Sequence, residues 1–503
     1  MIYRVKILIF PRVKKFLKSL FAKKVLFSII IMTFYCSCNY SVNHVSIKKP
    51  NILLILIDDL NDWIGVMGGH PQVKTPNIDR LASKGMIFTN ANCQSPVCNP
   101  SRASMMTSLY PSSTGIYFLT PPLERSNKSL ESTVMPMRFL NEGYDVFGAG
   151  KLFHNKKENK KYINEYWDGF GKWYGPLSEK KLSGYDEMAR LWDWGYLNIK
   201  DEETEDGQIA NWAVNILSKI NKKPFWLAVG FYKPHVPFIA PKKWFDLYPL
   251  DSIQLPEVIN GDLDDISEYA KSLTRFGHVA PNHDWVVSNN QWKSLVRSYL
   301  ACVSFVDDQV GKVLDALETS NEVQNTYVVL YSDHGFHLGE KEKWAKRSLW
   351  KNSTKVPLII SGPGIPEGKT SDLPVQLLDI YPTLIELSGL APDPIHQGHS
   401  LVPILKNEAS EWPHMARTSF GPGNYSIVSK KHRFIQYNDG TEEFYDRIND
   451  PNELYSLIND RALKEVIQKH RNKIPNQRHE ILGEGSLGHE SYIFSEKGSF
   501  LQN

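Results

Sequence analysis

The sequence predicts an α/β fold, a mostly parallel sheet sandwiched by helices, with a smaller C-terminal α/β domain built on a short antiparallel sheet. Three observations carry this. Continuous apolar, β-branched runs such as residues 51–57 and 326–331 alternate with helix-like segments, as buried parallel strands and crossover helices do. Polar clusters follow those runs directly, Asp58-Asp59 after the first and Asp333-His334 after the second, where open α/β sheets place their sites. Beyond about residue 405 the pattern changes to short strands with a tight turn among them.

The N-terminus comes first along the chain. Of 503 residues, 42% are hydrophobic and 22% charged, ordinary for a globular protein and enough for one large domain plus a small one. The formal charge of +3 misleads, because residues 1–24 hold eight basic residues and no acid. The rest carries 50 basic against 55 acidic residues, a net of −5, so nucleic acid is not an expected partner. The apolar run 25–35 is too short to span a bilayer but suits a signal peptide. Ser37-Cys38 behind it resembles a bacterial lipoprotein cleavage site, although Tyr35 and Cys36 depart from the usual residues. An ordinary signal peptide is the alternative. We read 1–38 as a signal peptide of lipoprotein type and 39–49 as a polar tether. The protein is then exported, to the periplasm or cell surface or into the medium, and touches a membrane only through a lipid at Cys38.

Residues 50–405 form the large domain and 406–503 the smaller one. After strand 51–57, Thr75-Pro76-Asn77-Ile78-Asp79 reads as a helix entry with Leu81-Ala82 on the buried face. Short strands are expected at 144–147, 225–230 and 356–360. Residues 291–317 read as a long helix, with Leu300, Val303, Val306, Val310, Val313 and Leu314 near helical spacing. Segment 155–205 lacks clear periodicity and reads as an insertion or loop region. Its aromatics (Trp167, Trp173, Tyr174, Tyr185, Trp192, Trp194) could stack on sugars or simply pack the loop. In the smaller domain, strands at 425–428, 433–437 and 443–446 flank the hairpin signal Asn438-Asp439-Gly440, and 461–473 is helical.

Four strand ends carry polar clusters: Asp58-Asp59, Lys151 to His154, Lys233-Pro234-His235 and Asp333-His334. In a parallel sheet they converge on one edge. Three carboxylates there repel unless a cation sits among them, and oxygen ligands suit Ca²⁺ or Mg²⁺. His334 is a mixed signal, and Asp58-Asp59 alone could equally end a strand or cap a helix. Cys98 lies in Cys98-Asn99-Pro100-Ser101-Arg102. Pro100 suits a first helical turn, which places Cys98 just before a helix N-terminus, where an anion is favoured. It could be a thiolate nucleophile beside a His or a buried structural thiol. Cys93 and Cys302 are read as buried free thiols, with a disulfide between them as the alternative. Lys233 receives no role, His70 is read as a loop residue, and His337 could line a pocket.

Cys-x-Pro-x-Arg, continued by Ala103-Ser104-Met105-Met106-Thr107-Ser108-Leu109-Tyr110-Pro111 and Thr114-Gly115, resembles the signature at which sulfatases oxidise Cys to formylglycine. It stands about 40 residues after Ile57-Asp58-Asp59, and the likeness runs from about residue 50 to about 460, near Glu442-Glu443-Phe444-Tyr445-Asp446. Within that alkaline-phosphatase-like superfamily, Gly150-Lys151-Leu152-Phe153-His154, Gly230-Phe231-Tyr232-Lys233-Pro234-His235, Ser332-Asp333-His334-Gly335 and Trp344-Ala345-Lys346 resemble the iduronate-2-sulfatase branch.

The resemblance implies one Ca²⁺ per chain, bound by Asp58, Asp59, Asp333, His334 and the modified Cys98, with His at a position where Asn is usual. It implies that Arg102 holds the formylglycine hydrate, that Lys151 and Lys346 grip sulfate oxygens, that His154 hydrogen-bonds the hydrate, and that His235 protonates the leaving sugar oxygen. It also implies a formylglycine-generating or anaerobic sulfatase-maturating enzyme as partner. One hydroxyl of the hydrated aldehyde attacks sulfur, and loss of a proton from the second expels the sulfate, a step a plain Ser or Cys cannot make. The expected activity is hydrolysis of sulfate esters on a sulfated polysaccharide, ulvan or another uronic-acid-containing glycan. Alternatives are a glycosaminoglycan uronate-2-O-sulfatase, a phosphoester hydrolase of the same superfamily, and a surface lipoprotein that only binds sulfated glycans.

Overall fold

The computed structural model describes residues 48–169, 177–185, 191–220, 223–274, 280–407 and 412–482. The expected signal peptide with Cys38, most of the tether, Trp173 and Tyr174 lie outside the described residues. All labelled elements belong to the unit Lys49–Asn503. Among the described residues no helix is long and apolar enough to cross a membrane.

The main sheet has eight strands: β1 (Asn51–Ile57), β2 (Gly85–Phe88), β3 (Asp145–Gly150), β4 (Glu165–Trp167), β5 (Phe225–Phe231), β6 (Thr326–Ser332), β7 (Leu358–Ser361) and β8 (Lys369–Ser371). Their spatial order is β8-β2-β7-β6-β1-β5-β3-β4. From β6 to β4 every pairing is parallel. Only β7 runs antiparallel, to both β6 and β2, so the expected mostly parallel sheet is present.

β1 lies at the centre, buried on both sides, which is why its sequence is apolar without alternation. Leu53, Ile55 and Ile57 share one core with Leu300, Val303, Val306 and Val310. These four belong to α4 (Trp292–Thr319); the earlier helices used below are α1 (Pro76–Ser83), α2 (Cys98–Thr107) and α3 (Glu205–Leu217). Ile52, Leu54 and Leu56 face the second core with Met105 and Met106 of α2. Two helical layers thus sandwich one sheet and hold its strand ends in register.

The expected strand at 356–360 is broken. Lys355–Val356 pairs elsewhere, and β7 starts at Leu358. Pro357 sits at the break because it cannot donate to a sheet ladder. Segment 155–205 is more integrated than an insertion: it supplies a helix, Lys156–Tyr162, and the edge strand β4. Tyr185, Trp192 and Trp194 are core residues, packed on Trp285, Phe238 and Phe336, so packing rather than sugar stacking accounts for them. Cys93 and Cys302 are buried and free.

Strands β9 (Ala416–Ser419), β10 (Tyr425–Val428), β11 (His432–Gln436) and β12 (Glu442–Asp446) form an antiparallel sheet in that order. The Asn438-Asp439-Gly440 turn closes between β11 and β12, with Gly440 at φ 87, a left-handed conformation that favours glycine. Helix α5 (Lys464–Arg471) contributes Ile467 to a small core with Ile427, Phe434 and Phe444. Arg433 ties this sheet to the main layer. Its fully buried guanidinium donates to Glu453 Oε1 (2.6 Å), Leu349 O (3.1 Å), Thr354 Oγ1 (2.9 Å) and Ser426 Oγ (2.7 Å). Arg433→Ala removes the cation that directly pairs with buried Glu453, so equilibrium unfolding in urea should show a loss of about 3–5 kcal/mol. A loss below about 1 kcal/mol would mean the two layers do not depend on this clamp.

Candidate active site

β1 runs into Asp58 and Asp59. Neighbouring residues of a strand point to opposite faces, so bringing both carboxylates to one place requires the chain to turn. It does so at Asp59, whose φ is 63. The turn is held by Tyr299 of α4, whose hydroxyl donates to Asp59 O (2.8 Å) and accepts from Asn61 N (3.0 Å). Ser332 Oγ, at the end of β6, accepts from Leu60 N (3.0 Å) and donates to His334 O (2.9 Å). β3 ends at Gly150, at φ 74, where a Cβ would strike the carbonyl of Gly230; glycine there lets the ends of β3 and β5 lie close, with Lys151 N donating to Gly230 O at 2.9 Å. Asp206 of α3 fixes the chain after β5 by accepting from Tyr232 N and Lys233 N, both at 2.8 Å.

Cys98 is the first residue of α2 rather than the one before it, with Val97 as the cap. It is almost fully buried. His334 Nε2 lies 3.3 Å and Lys346 Nζ 3.4 Å from its sulfur, and His154 hydrogen-bonds it. Lys346 Nζ also meets Asp59 Oδ1 at 2.6 Å, and Lys151 Nζ meets Asp58 Oδ2 at 2.5 Å. Arg102, one turn along α2, lies beneath: Nη2 reaches Asp58 Oδ1 (3.1 Å), Nε reaches Asp333 Oδ2 (2.8 Å), and Nη1 donates to the carbonyls of Lys151 and Leu152. His235 Nε2 stands 3.8 Å from Asp59 Oδ2. All ten residues singled out in the sequence therefore meet in one place.

Burial alone would raise the Cys98 thiol, but Lys151, Lys346 and His334 outweigh it and hold it well below the ordinary thiol value. Burial would likewise raise Asp58, yet Lys151 and Arg102 hold it far down. Burial pushes Asp333 up despite Arg102, and pushes His154 down, which keeps that ring neutral.

The donors are gathered closely enough to hold a metal ion. One ligand atom each from Asp58, Cys98, Asp333 and His334 lies within 4.8 Å of the others, and Asp59, Cys98 and His235 form a second such group. Asp59 Oδ2 is buried with no hydrogen-bond partner, and a buried carboxylate oxygen calls for a positive partner.

His337 does not line the site. Its ring is buried and bonded to Glu340 O (3.2 Å) and Ser348 Oγ (2.8 Å). His70 is a loop residue buried against Trp63, and Lys233 is buried with its Nζ on Pro237 O. Sequence reasoning missed Tyr299 and Asp206, which carry no local signal, and gave no role to Ser332 although it lies in the Ser332-Asp333-His334-Gly335 motif. It also missed Arg347, beside Lys346, and Ser101, whose hydroxyl donates to Asp333 O from inside the Cys-x-Pro-x-Arg motif.

Comparisons with known proteins identify the family. A sulfatase family profile matches residues 50–390, and one for the C-terminal region of N-sulphoglucosamine sulphohydrolase matches 339–480. A sulfatase of Formosa agariphila is 40% identical over 90% of this chain and 91% of its own. Human iduronate 2-sulfatase is 32% identical over 68% of this chain and 70% of its own. An ulvan-active sulfatase of Formosa agariphila is 28% identical over 82% and 77%. The solved structure of a 2-O GAG sulfatase superimposes with a TM-score of 0.66 at 23% identity, over 84% of this chain and 91% of that one, which confirms the fold. With a profile spanning two thirds of its length and a relative this similar end to end, the chain belongs to the sulfatase family, the sulfuric ester hydrolases.

Proposed function

We propose that this protein hydrolyses sulfate esters on a sulfated carbohydrate, through a formylglycine made from Cys98 and with one Ca²⁺ held by Asp58, Asp59, Asp333, His334 and the modified residue 98. The observation that carries the reading is the convergence of three carboxylates, two lysines and three histidines around one buried sulfur at a helix N-terminus. Sγ stands in for the oxygen that the modified side chain would carry there. The hydrated aldehyde would supply an attacking hydroxyl and a second hydroxyl whose deprotonation releases sulfate. Ca²⁺, when bound, would offset the carboxylates and make the attacking hydroxyl more acidic.

The residues divide the remaining work. Lys346 already reaches the sulfur and Lys151 lies across Asp58, so both can hold sulfate oxygens and offset charge on the transferring group. His154, kept neutral and in contact with residue 98, is placed to take a proton from it. The His235 ring is fixed by Nδ1 on Val236 O at 2.6 Å. A carbonyl only accepts, so Nδ1 carries hydrogen there, and Nε2 is the nitrogen that must take up a second proton, as imidazolium, to deliver it to the leaving sugar oxygen. Arg102 spends its nitrogens on Asp58, Asp333 and two carbonyls, and we assign it the task of fixing those carboxylates under residue 98.

The likeness to ulvan-active and iduronate relatives supports a uronic-acid-containing polysaccharide, ulvan included, as substrate, in polysaccharide degradation; a glycosaminoglycan uronate-2-sulfate is the second candidate. The basic and apolar N-terminus supports export, with a lipid at Cys38 and maturation by a formylglycine-generating or anaerobic enzyme. Incubation with defined sulfated oligosaccharides, read by mass spectrometry of products, tests the substrate, and matched aryl sulfate and aryl phosphate assays test the ester. Preference for phosphate would overturn the sulfate reading. Removing divalent ions with a chelator should abolish turnover and lower the melting temperature, with Ca²⁺ restoring both; full activity after exhaustive chelation would exclude the cation.

A further inference from the structure

Arg347 is a buried cation beside this site that the proposed chemistry leaves unused. It is 6% exposed, follows Lys346 directly, and sits at φ 73, with Ala345 at φ 69 on the other side of Lys346. Left-handed backbone at two non-glycine positions is uncommon and sets the directions in which Lys346 and Arg347 project. The carboxylates of the site are already matched: Asp58 and Asp333 by Arg102, Asp58 again by Lys151, and Asp59 by Lys346. Among the described residues no carboxylate pairs with Arg347, and its Nη1 is buried without a hydrogen-bond partner. The other arginines with a buried unpaired nitrogen each have a partner elsewhere, the half-buried Arg138 on Glu142 and Arg297 on Phe245 O, and the buried Arg433 on Glu453. Lys346, the residue directly before it, brings Nζ to 3.4 Å from the Cys98 sulfur, so the backbone that carries Arg347 runs beside the reacting position.

A guanidinium withdrawn from water without a counter-ion is costly. The cost is recovered when an oxyanion arrives, and the planar fork of Arg suits carboxylates and sulfates through paired hydrogen bonds. The scissile sulfate already has Lys151 and Lys346. We propose that Arg347 is a specificity residue that binds a second anionic group of the substrate, a uronate carboxylate or a further sulfate, next to the ester being cleaved. This rests on the sulfatase reading above and narrows its substrate to saccharides with two anionic groups close together.

The test compares wild type, Arg347→Met and Arg347→Lys on 4-methylumbelliferyl sulfate and on sulfated disaccharides in matched pairs. One pair differs in the uronate carboxylate, native against carboxyl-reduced, and the other in a second sulfate. The expected result is that Arg347→Met lowers the ratio of kcat/KM for the doubly anionic sugar to that for the aryl sulfate on the order of 30-fold or more. The change should lie mainly in KM, because the second anion takes no part in the bonds made and broken at sulfur and is held alike in ground and transition state. Arg347→Lys should fall between, since it keeps the charge and loses the fork. Loss confined to the carboxylate pair assigns a uronate, loss confined to the second-sulfate pair assigns a polysulfated sugar, and either supports the proposal. An equal fall on every substrate, or an unchanged ratio, overturns it. Should Arg347→Met fail to fold, judged by its melting curve, the ratio in Arg347→Lys decides. Wild type without turnover of any sulfate ester would instead overturn the sulfatase reading, and this proposal with it.

Discussion

Cys98→Ala should lose turnover on the order of 10⁴- to 10⁶-fold, the scale seen when a covalent nucleophile is removed, while remaining folded. Cys98 is small and buried and contributes one sulfur to contacts with His334 and Lys346, so its removal takes away the reacting group and little packing. Cys98→Ser should fare hardly better when it escapes maturation. It keeps one hydroxyl for attack but has no second one to reverse the sulfated intermediate. The check has two parts. Peptide mass spectrometry of wild type from a host with the maturation enzyme should show the aldehyde at position 98, and steady-state kinetics should show the loss in both variants. An unmodified thiol in a fully active preparation would sink the formylglycine mechanism.

The second large effect is expected at Arg102. Its guanidinium joins Asp58 and Asp333, all three side chains at 1% exposure or less. Arg102→Ala leaves two buried carboxylates with one shared counter-charge fewer, which costs about 3–5 kcal/mol when a buried pair is broken on one side. It also releases the carbonyls of Lys151 and Leu152, which Arg102 holds, so Lys151 loses its aim and turnover should fall along with stability. Because a cation among those carboxylates replaces part of the missing charge, added Ca²⁺ should raise the melting temperature more in Arg102→Ala than in wild type. Calorimetry with and without Ca²⁺ measures both effects. A variant that melts within about 2 °C of wild type would show that Arg102 is not the clamp described here.

Much of the site could be read from residue order because its chemistry sits at strand ends. Asp58-Asp59, Lys151, His235 and Asp333-His334 each follow an apolar run, and a parallel sheet brings such ends together whatever lies between them. The motif around Cys98 added the helix that carries both the sulfur and Arg102. Segment 155–205 was harder. Its short strand β4 earns its place only by pairing with β3, and its aromatics are sequestered by partners more than 40 residues away, Trp285 and Phe238 among them. The antiparallel course of β7 was equally hidden, since an apolar run looks the same in either direction.

By itself the sequence determined the class of fold, the identity of the chemical groups and their grouping at four strand ends, because strand burial and motif spacing are local properties written in neighbouring residues. What the tertiary structure decided is which charges answer one another. Asp58, Asp59 and Asp333 find Arg102, Lys151 and Lys346 across separations of up to 287 residues, and Arg347, adjacent to Lys346 in sequence, is left with no carboxylate among the described residues. That outcome depends on the left-handed turns at Asp59, Ala345 and Arg347 and on supports such as Tyr299 and Asp206. These act through distances of a few ångströms between residues remote in the chain, so no stretch of sequence reveals them until the sheet has closed around them.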